Sequence, residues 1–120
     1  MAAEAAPARG TAPERWLRAC RREALDGGAI VPVVVAGLHL VLVRSGGRVV
    51  AAERACPHEG ADLAHGRCAH GRLFCPRHRA WFDLPAGTVS PGWDFRALRI
   101  YPARIAGPDI LVAVPGEAGA

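Results

Sequence analysis

The chain contains no lysine, asparagine or glutamine, so all 15 of its basic side chains are arginine. That bias fits a GC-rich genome and imposes no chemistry of its own. No long hydrophobic run is present either. The most apolar stretch, Ala29 to Val43, is broken by Pro32, Gly37 and His39 and falls short of the roughly 20 residues a membrane-spanning helix needs. The opening residues, MAAEAAPARGTAPE, lack the basic start and apolar middle of an export signal. Together these absences exclude a helical anchor and lead us to expect a soluble, cytoplasmic protein with no membrane partner. Aromatic residues are scarce, at 6%, and form no ladder. With the arginines scattered, that argues against nucleic acid, which the net charge of +4 would otherwise favour. Internal repeats, strong helical periodicity and any constellation of general acid, base and nucleophile are also missing, so no turnover of its own is expected.

What remains is a globular composition, 51% hydrophobic and 22% charged over 120 residues, enough for one domain with a modest core. Gly and Pro punctuate short β-branched runs throughout, which reads as an all-β sandwich or barrel. Ile30 to Val35 and Leu38 to Val43 form a hairpin about Ala36 and Gly37, and Ser45, Gly46 and Gly47 turn the chain into Arg48 to Glu53. Before them, a first strand is expected near Trp16 to Cys20, with a helical turn possible at Arg22 to Leu25 and a turn at Asp26 to Gly28. Leu73 and Phe74 read as one short strand and Trp81 to Leu84 as the next. Phe95 to Arg104 and Asp109 to Val114 read as a closing hairpin turned by Gly107 and Pro108.

The chemistry is concentrated in the stretch CPHEGADLAHGRCAHGRLFCPRH, from Cys56 to His78. Each end offers one thiol and one imidazole, as Cys56-x-His58 and Cys75-x-x-His78. Zinc modules usually pair like ligands within an arm. Mixed arms suit two metal ions side by side, because each arm can place its Cys on one ion and its His on the other.

On these residues the chain resembles the Rieske 2Fe-2S domain family, in which His ligation of one iron is the defining feature. The resemblance runs from about Trp16 to Val114 and implies the Rieske fold: an antiparallel β-sandwich or barrel base with a small cluster-binding subdomain. That subdomain has two ligand loops and a proline-bearing third loop, for which Gly87 to Gly92 (GTVSPG) is the match, with Pro91 at its tip. By the same resemblance Cys56 and Cys75 are ligands of one iron, and His58 and His78 of the other. The domain is expected over 15–115, its cluster-binding part over about 55–92, with flexible tails at 1–14 and 116–120. A cluster would staple so small a domain, so its loss should loosen at least the loops from Cys56 to His78.

The resemblance also sets expectations for the redox chemistry. Two ferric ions, two sulfides and two thiolates carry no net charge, whereas four thiolates would leave two negative charges, so the imidazoles make an electron easier to accept. Rieske clusters accordingly lie at about −150 to +300 mV. High-potential members of the family have a disulfide and two hydroxyl donors around the cluster, at positions occupied here by Ala61, Arg77, Ala80 and Phe82. Their absence implies a potential near the low end, roughly −150 to 0 mV, like the soluble ferredoxins that feed ring-hydroxylating oxygenases.

A one-electron carrier between a flavin reductase and an oxygenase is therefore expected, with a monomer sufficient. Rieske oxygenases add a mononuclear-iron domain, for which no room is expected after Ala120. Two alternatives stay open: the small subunit of a nitrite-reductase-like complex, and a zinc-stabilised interaction module using the same four residues. Arg67, Arg72, Arg77 and Arg79 are placed to form a basic rim, or simply a solvated set of loop charges. Cys20 and Cys68 read as thiols outside the ligand set, and His39 as a half-buried strand residue. His65 and His70 read as loop residues, and Trp16, Trp81 and Trp93 as packing residues, with Trp81 and Phe82 possible shields for the cluster loops.

Overall fold

The two hairpins between Ile30 and Glu53 form the centre of the fold. In the computed structural model, which describes residues 14–77 and 79–115, β2 (Val31–Val35), β3 (Leu38–Ser45) and β4 (Arg48–Glu53) run antiparallel. Ala36 and Gly37 close the first turn at φ 51° and 82°, and Gly46 and Gly47 close the second at 59° and 82°. Both central residues at positive φ match the two-residue turns that suit strand twist. His78 and the expected tails, apart from Glu14, lie outside the described residues.

The first strand is longer than expected. β1 spans Glu14–Arg21 and pairs with the last strand, with an irregularity between Arg18 and Cys20. The expected helical turn is present within a 3-10 segment, Arg22–Gly28, which leaves helical dihedrals at Asp26 and Gly27 and buries Leu25. After β4 come β5 (Arg67–Ala69), β6 (Arg72–Phe74), β7 (Trp81–Asp83), β8 (Ile100–Tyr101), β9 (Ala103–Ala106) and β10 (Asp109–Pro115). They form three antiparallel sheets, β1-β10-β9, β2-β3-β4-β8 and β5-β6-β7.

One expectation is corrected here. Phe95 to Arg104 is not one strand: residues 95–99 are irregular, β8 joins β4, and β9 joins β10. Pro102 is the reason. It has no N–H to give to a ladder, and its carbonyl instead accepts from Ala113 N at 2.9 Å. The chain thus changes sheets at this residue. The turn at Gly107 and Pro108 stands as read, with Ala106 paired to Asp109.

The middle sheet is buried on both faces, which explains the unbroken apolar run LVLV in β3. One face carries Leu40, Leu42 and Ala51 into a core shared with Val35, Ile110 and Val112. The other carries Val41 and Ala52 into a second core with Leu63, Leu73, Phe82 and Leu98. At roughly 1.5–3 kcal/mol for each fully buried Leu, Val or Phe side chain, this second layer gives the small sheet a fixed floor. Cys56 and Cys75 belong to that layer.

Candidate metal centre

Two loops rise from this second core, and they are built alike. In the first, Cys56 N donates to Ala61 O at 2.8 Å; in the second, Cys75 N donates to Ala80 O at 3.1 Å. Each bond spans five residues, so each loop is pinched shut at its cysteine. The first is further closed by Gly60 N to Cys56 O at 2.7 Å and by Leu63 N to Arg54 O at 2.9 Å. A charged fork locks its base, Arg54 Nε and Nη2 donating to Asp62 Oδ1 and Oδ2 at 2.8 and 2.9 Å. Asp62 Oδ1 also accepts from Ala64 N at 2.9 Å, capping the short 3-10 turn Leu63–His65. The Arg54 guanidinium beside Asp62, helped by that N–H, holds the carboxyl well below the usual carboxylate range.

A second clamp ties the segment after the third loop to the strand that leads into Cys56. Glu53 accepts from Arg96 Nη1 and Nη2 at 2.6 and 2.8 Å and from Arg99 N at 2.8 Å. Burial alone would raise the Glu53 pKa, but these donors outweigh it and the net direction is down. The third loop itself lies along β7, with Ser90 N donating to Trp81 O at 2.9 Å and Trp81 N to the buried Ser90 Oγ at 3.1 Å. Pro91 stands exposed in the turn that follows.

These supports bring two of the four expected ligand residues, Cys56 and Cys75, to one wall. Cys56 and Cys75 are 2% and 5% exposed and within mutual hydrogen-bonding reach. Burial pushes the Cys56 thiol up, and the neighbouring Cys75 adds to that, while the backbone N–H groups of His58 and Glu59 aim at the sulfur and pull the other way. Burial disfavours the charged form of such a thiol, which a neighbouring cation would favour. A bound iron would supply that charge, and N–H groups already directed at sulfur are the contacts that stabilise a metal-bound thiolate. His58 is exposed beside them, its imidazole stacked on Phe95 with centroids 4.9 Å apart and tilted against Trp93 at 5.4 Å. Among the described residues no three His, Cys, Asp or Glu side chains converge to hold a single ion. Two thiols held together, backbone N–H groups aimed at one of them and an exposed imidazole two residues on are a donor set that fits a sulfur- and nitrogen-bound iron group.

Other residues fall outside this wall. Cys68 pairs with Leu73 in β5 and Cys20 with Ile110 through β1. Both are half-buried thiols raised by burial, and all four cysteines are free. His39 is exposed opposite Val34 instead of half-buried, because it sits on the outer side of the edge hairpin. His65 and His70 are exposed in loops. Of the two candidate shields, Phe82 is fully buried in the core that holds Cys56 and Cys75, whereas Trp81 packs on the opposite face of the small sheet against Phe74. Ala61 and Ala80 are buried and offer neither a thiol nor a hydroxyl. Sequence reasoning missed Trp93 and Phe95 as neighbours of His58. Their spacing two apart, directly after Pro91 and Gly92, was the available signal.

Comparison with known proteins agrees with this geometry. A family model described as Rieske [2Fe-2S] domain matches residues 15–102. Apoptosis-inducing factor 3 of Mus musculus and of Homo sapiens are each 34% identical over 77 residues, 62% of this chain, and the chain spans only 13% of their length. The ferredoxin of carbazole 1,9a-dioxygenase from Nocardioides aromaticivorans IC177 superposes with a TM-score of 0.73 at 28% identity, covering 81% of this chain and 95% of that one. A chain assigned as an NADH-dependent nitrite reductase small subunit from Mycobacterium tuberculosis gives 0.76 at 26% identity, covering 88% and 99%. No helix among the described residues is long and apolar enough to cross a membrane. With the matching loops, the buried thiol pair and a family match over most of its length, the chain belongs to the Rieske [2Fe-2S] domain family, and that domain implies a Rieske-type 2Fe-2S cluster.

Proposed function

We propose that Cys56 and Cys75 hold one iron of the 2Fe-2S cluster and His58 and His78 the other, and that the chain carries single electrons from a flavin reductase to a ring-hydroxylating or related oxygenase. The observation that carries the ligand assignment is the pair of like-built loops, which place two buried sulfurs together and His58 at the surface. When bound, the cluster supplies reversible one-electron acceptance at fixed geometry. The protein's part is to keep it so. The buried floor of Leu63, Leu73 and Phe82 excludes water from the sulfur side, and the exposed His58 side gives a short path to a docked partner.

The oxygenase partner is supported by the likeness to a dioxygenase ferredoxin over nearly the whole of that chain. A second reading, the small subunit of a nitrite-reductase-like complex, is supported by a likeness of similar coverage. Whether the chain is isolated alone or with a large subunit separates the two. The ligand assignment is tested by metal and acid-labile sulfide analysis of the wild type and of Cys75→Ala. Two irons and two sulfides per chain, lost in the variant, are expected. One zinc and no sulfide would contradict the proposal and favour a zinc-stabilised interaction module.

A further inference from the structure

The arginines around the second ligand loop divide into two groups by their surroundings. In the small sheet Arg67 lies opposite Phe74, and Phe74 opposite Trp81, forming the row nearest the 75–80 loop. The Arg67 guanidinium sits 4.3 Å over the Phe74 ring, and the Phe74 and Trp81 centroids are 5.9 Å apart. Arg72, in the next row but one, is 4.5 Å over Trp81 and 3.2 Å from Asp83, so its charge is compensated. Among the described residues, no carboxylate pairs with Arg67, Arg77 or Arg79. All three are exposed. Glu59 is on the first loop and Asp94 follows the third, whereas the second, between Cys75 and Ala80, carries Arg77 and Arg79 and no acidic residue.

We infer that Arg67, seated over the Phe74 ring, and Arg77 and Arg79 of the adjoining loop form the docking face for a carboxylate-rich surface of a protein redox partner. The inference rests on the electron-carrier reading and adds the charge and location of the contact. A guanidinium held over a ring is already ordered in part, so it loses less side-chain entropy when it binds a carboxylate. Half-buried aromatics beside arginine supply apolar contact of the kind enriched at protein interfaces. The uncompensated charges of Arg77 and Arg79, two and four residues after Cys75, also steer an anionic partner toward the second ligand loop. Arg72 is set aside from this role by Asp83.

The test compares two neutralised proteins with the same change in net charge. One is Arg67→Gln, Arg77→Gln, Arg79→Gln; the other is Arg15→Gln, Arg22→Gln, Arg48→Gln on the base sandwich. Each cluster-loaded protein is reduced and then mixed with ferricyanide, an anionic oxidant, in a stopped-flow instrument at low ionic strength. The loop variant is expected to react about tenfold more slowly than wild type, and the base variant within about twofold. Hexaglutamate, standing in for a carboxylate-rich surface, is expected to slow the wild type and the base variant but not the loop variant. Equal rates for the two variants, or no effect of hexaglutamate on any of them, would overturn the inference. Binding of a random 20-mer DNA duplex near physiological salt that only the loop variant loses would reassign the face to nucleic acid, which also overturns it. A wild-type protein that shows no reducible chromophore contradicts the electron-carrier reading itself, so the two failures are distinguishable.

Discussion

The imidazole of His58 lies 10° from parallel with the phenyl ring of Phe95, their centroids 4.9 Å apart. Phe95 in turn touches Phe82 in the core at 6.0 Å and Trp93 at 5.8 Å. The exposed imidazole of this proposed ligand is thus fixed to the buried floor through one ring. Aromatic pairs of this kind contribute about 0.5–1.5 kcal/mol beyond their area. Phe95→Leu keeps most of the volume but removes the ring, so the cluster absorbance is expected to bleach severalfold faster under a chelator. Trp93→Phe, which keeps an aromatic face, should change that rate far less. Identical decay for wild type and Phe95→Leu would show that the stacking does not hold the first loop.

Asp62 provides a pH-dependent contribution. Its carboxyl is ionised in the folded chain far below the unfolded value of about 3.9. A depressed folded pKa means the stabilisation is present in full above that unfolded value and declines as pH falls toward the folded one. Glu53 acts in the same direction. Asp62→Asn is therefore expected to unfold at lower temperature than wild type near neutrality, with the gap narrowing from about pH 5 to pH 3. Tryptophan fluorescence melts at several pH values read this directly. A gap that widens in acid would contradict the sign.

Gly66 is a packing requirement. A Cβ at this position would run into the backbone carbonyl oxygen of Phe74, the residue before Cys75. Neither partner is a flexible side-chain end, so the strands leading to the second loop must separate. Gly66→Ala is expected to destabilise by about 1–3 kcal/mol, the range typical of overpacking, and to lower cluster occupancy in the purified protein. Iron content and a denaturant titration check the two effects separately.

The redox potential follows from what surrounds the sulfurs. Ala61, Ala80 and Phe82 are buried and offer no side-chain hydroxyl or thiol, so a midpoint of roughly −150 to 0 mV is expected. Phe82→Tyr, which adds a hydroxyl at the matching position of high-potential relatives, should move it upward. Protein-film voltammetry measures both, and a wild-type midpoint above about +200 mV would contradict the account of the second shell.

Much of this was legible in the sequence because the signals were local and strong. Gly37, and Gly46 with Gly47, mark their turns by the positive dihedrals those turns need, and the Cys56 to His78 stretch carries its own chemistry. Other features depend on contacts distant along the chain. Arg67–Ala69 is a strand only because β6 pairs with it, and its three residues hold nothing β-branched. Phe95 looked like the start of a long strand, yet Pro102 splits that run between two sheets and Glu53 draws Arg96 and Arg99 aside. Likewise, the charge of Arg72 counts for little at the surface because Asp83, across the sheet, offsets it.

The central claim is a two-iron, two-sulfide centre held by two cysteines and two histidines. The most direct measurement is pulsed paramagnetic resonance of the dithionite-reduced protein grown with nitrogen-15 histidine. The account calls for a mixed-valence iron signal with two strongly coupled imidazole nitrogens, one of which disappears in His58→Cys. A reduced sample with no such signal, or with a signal free of nitrogen coupling, would contradict it.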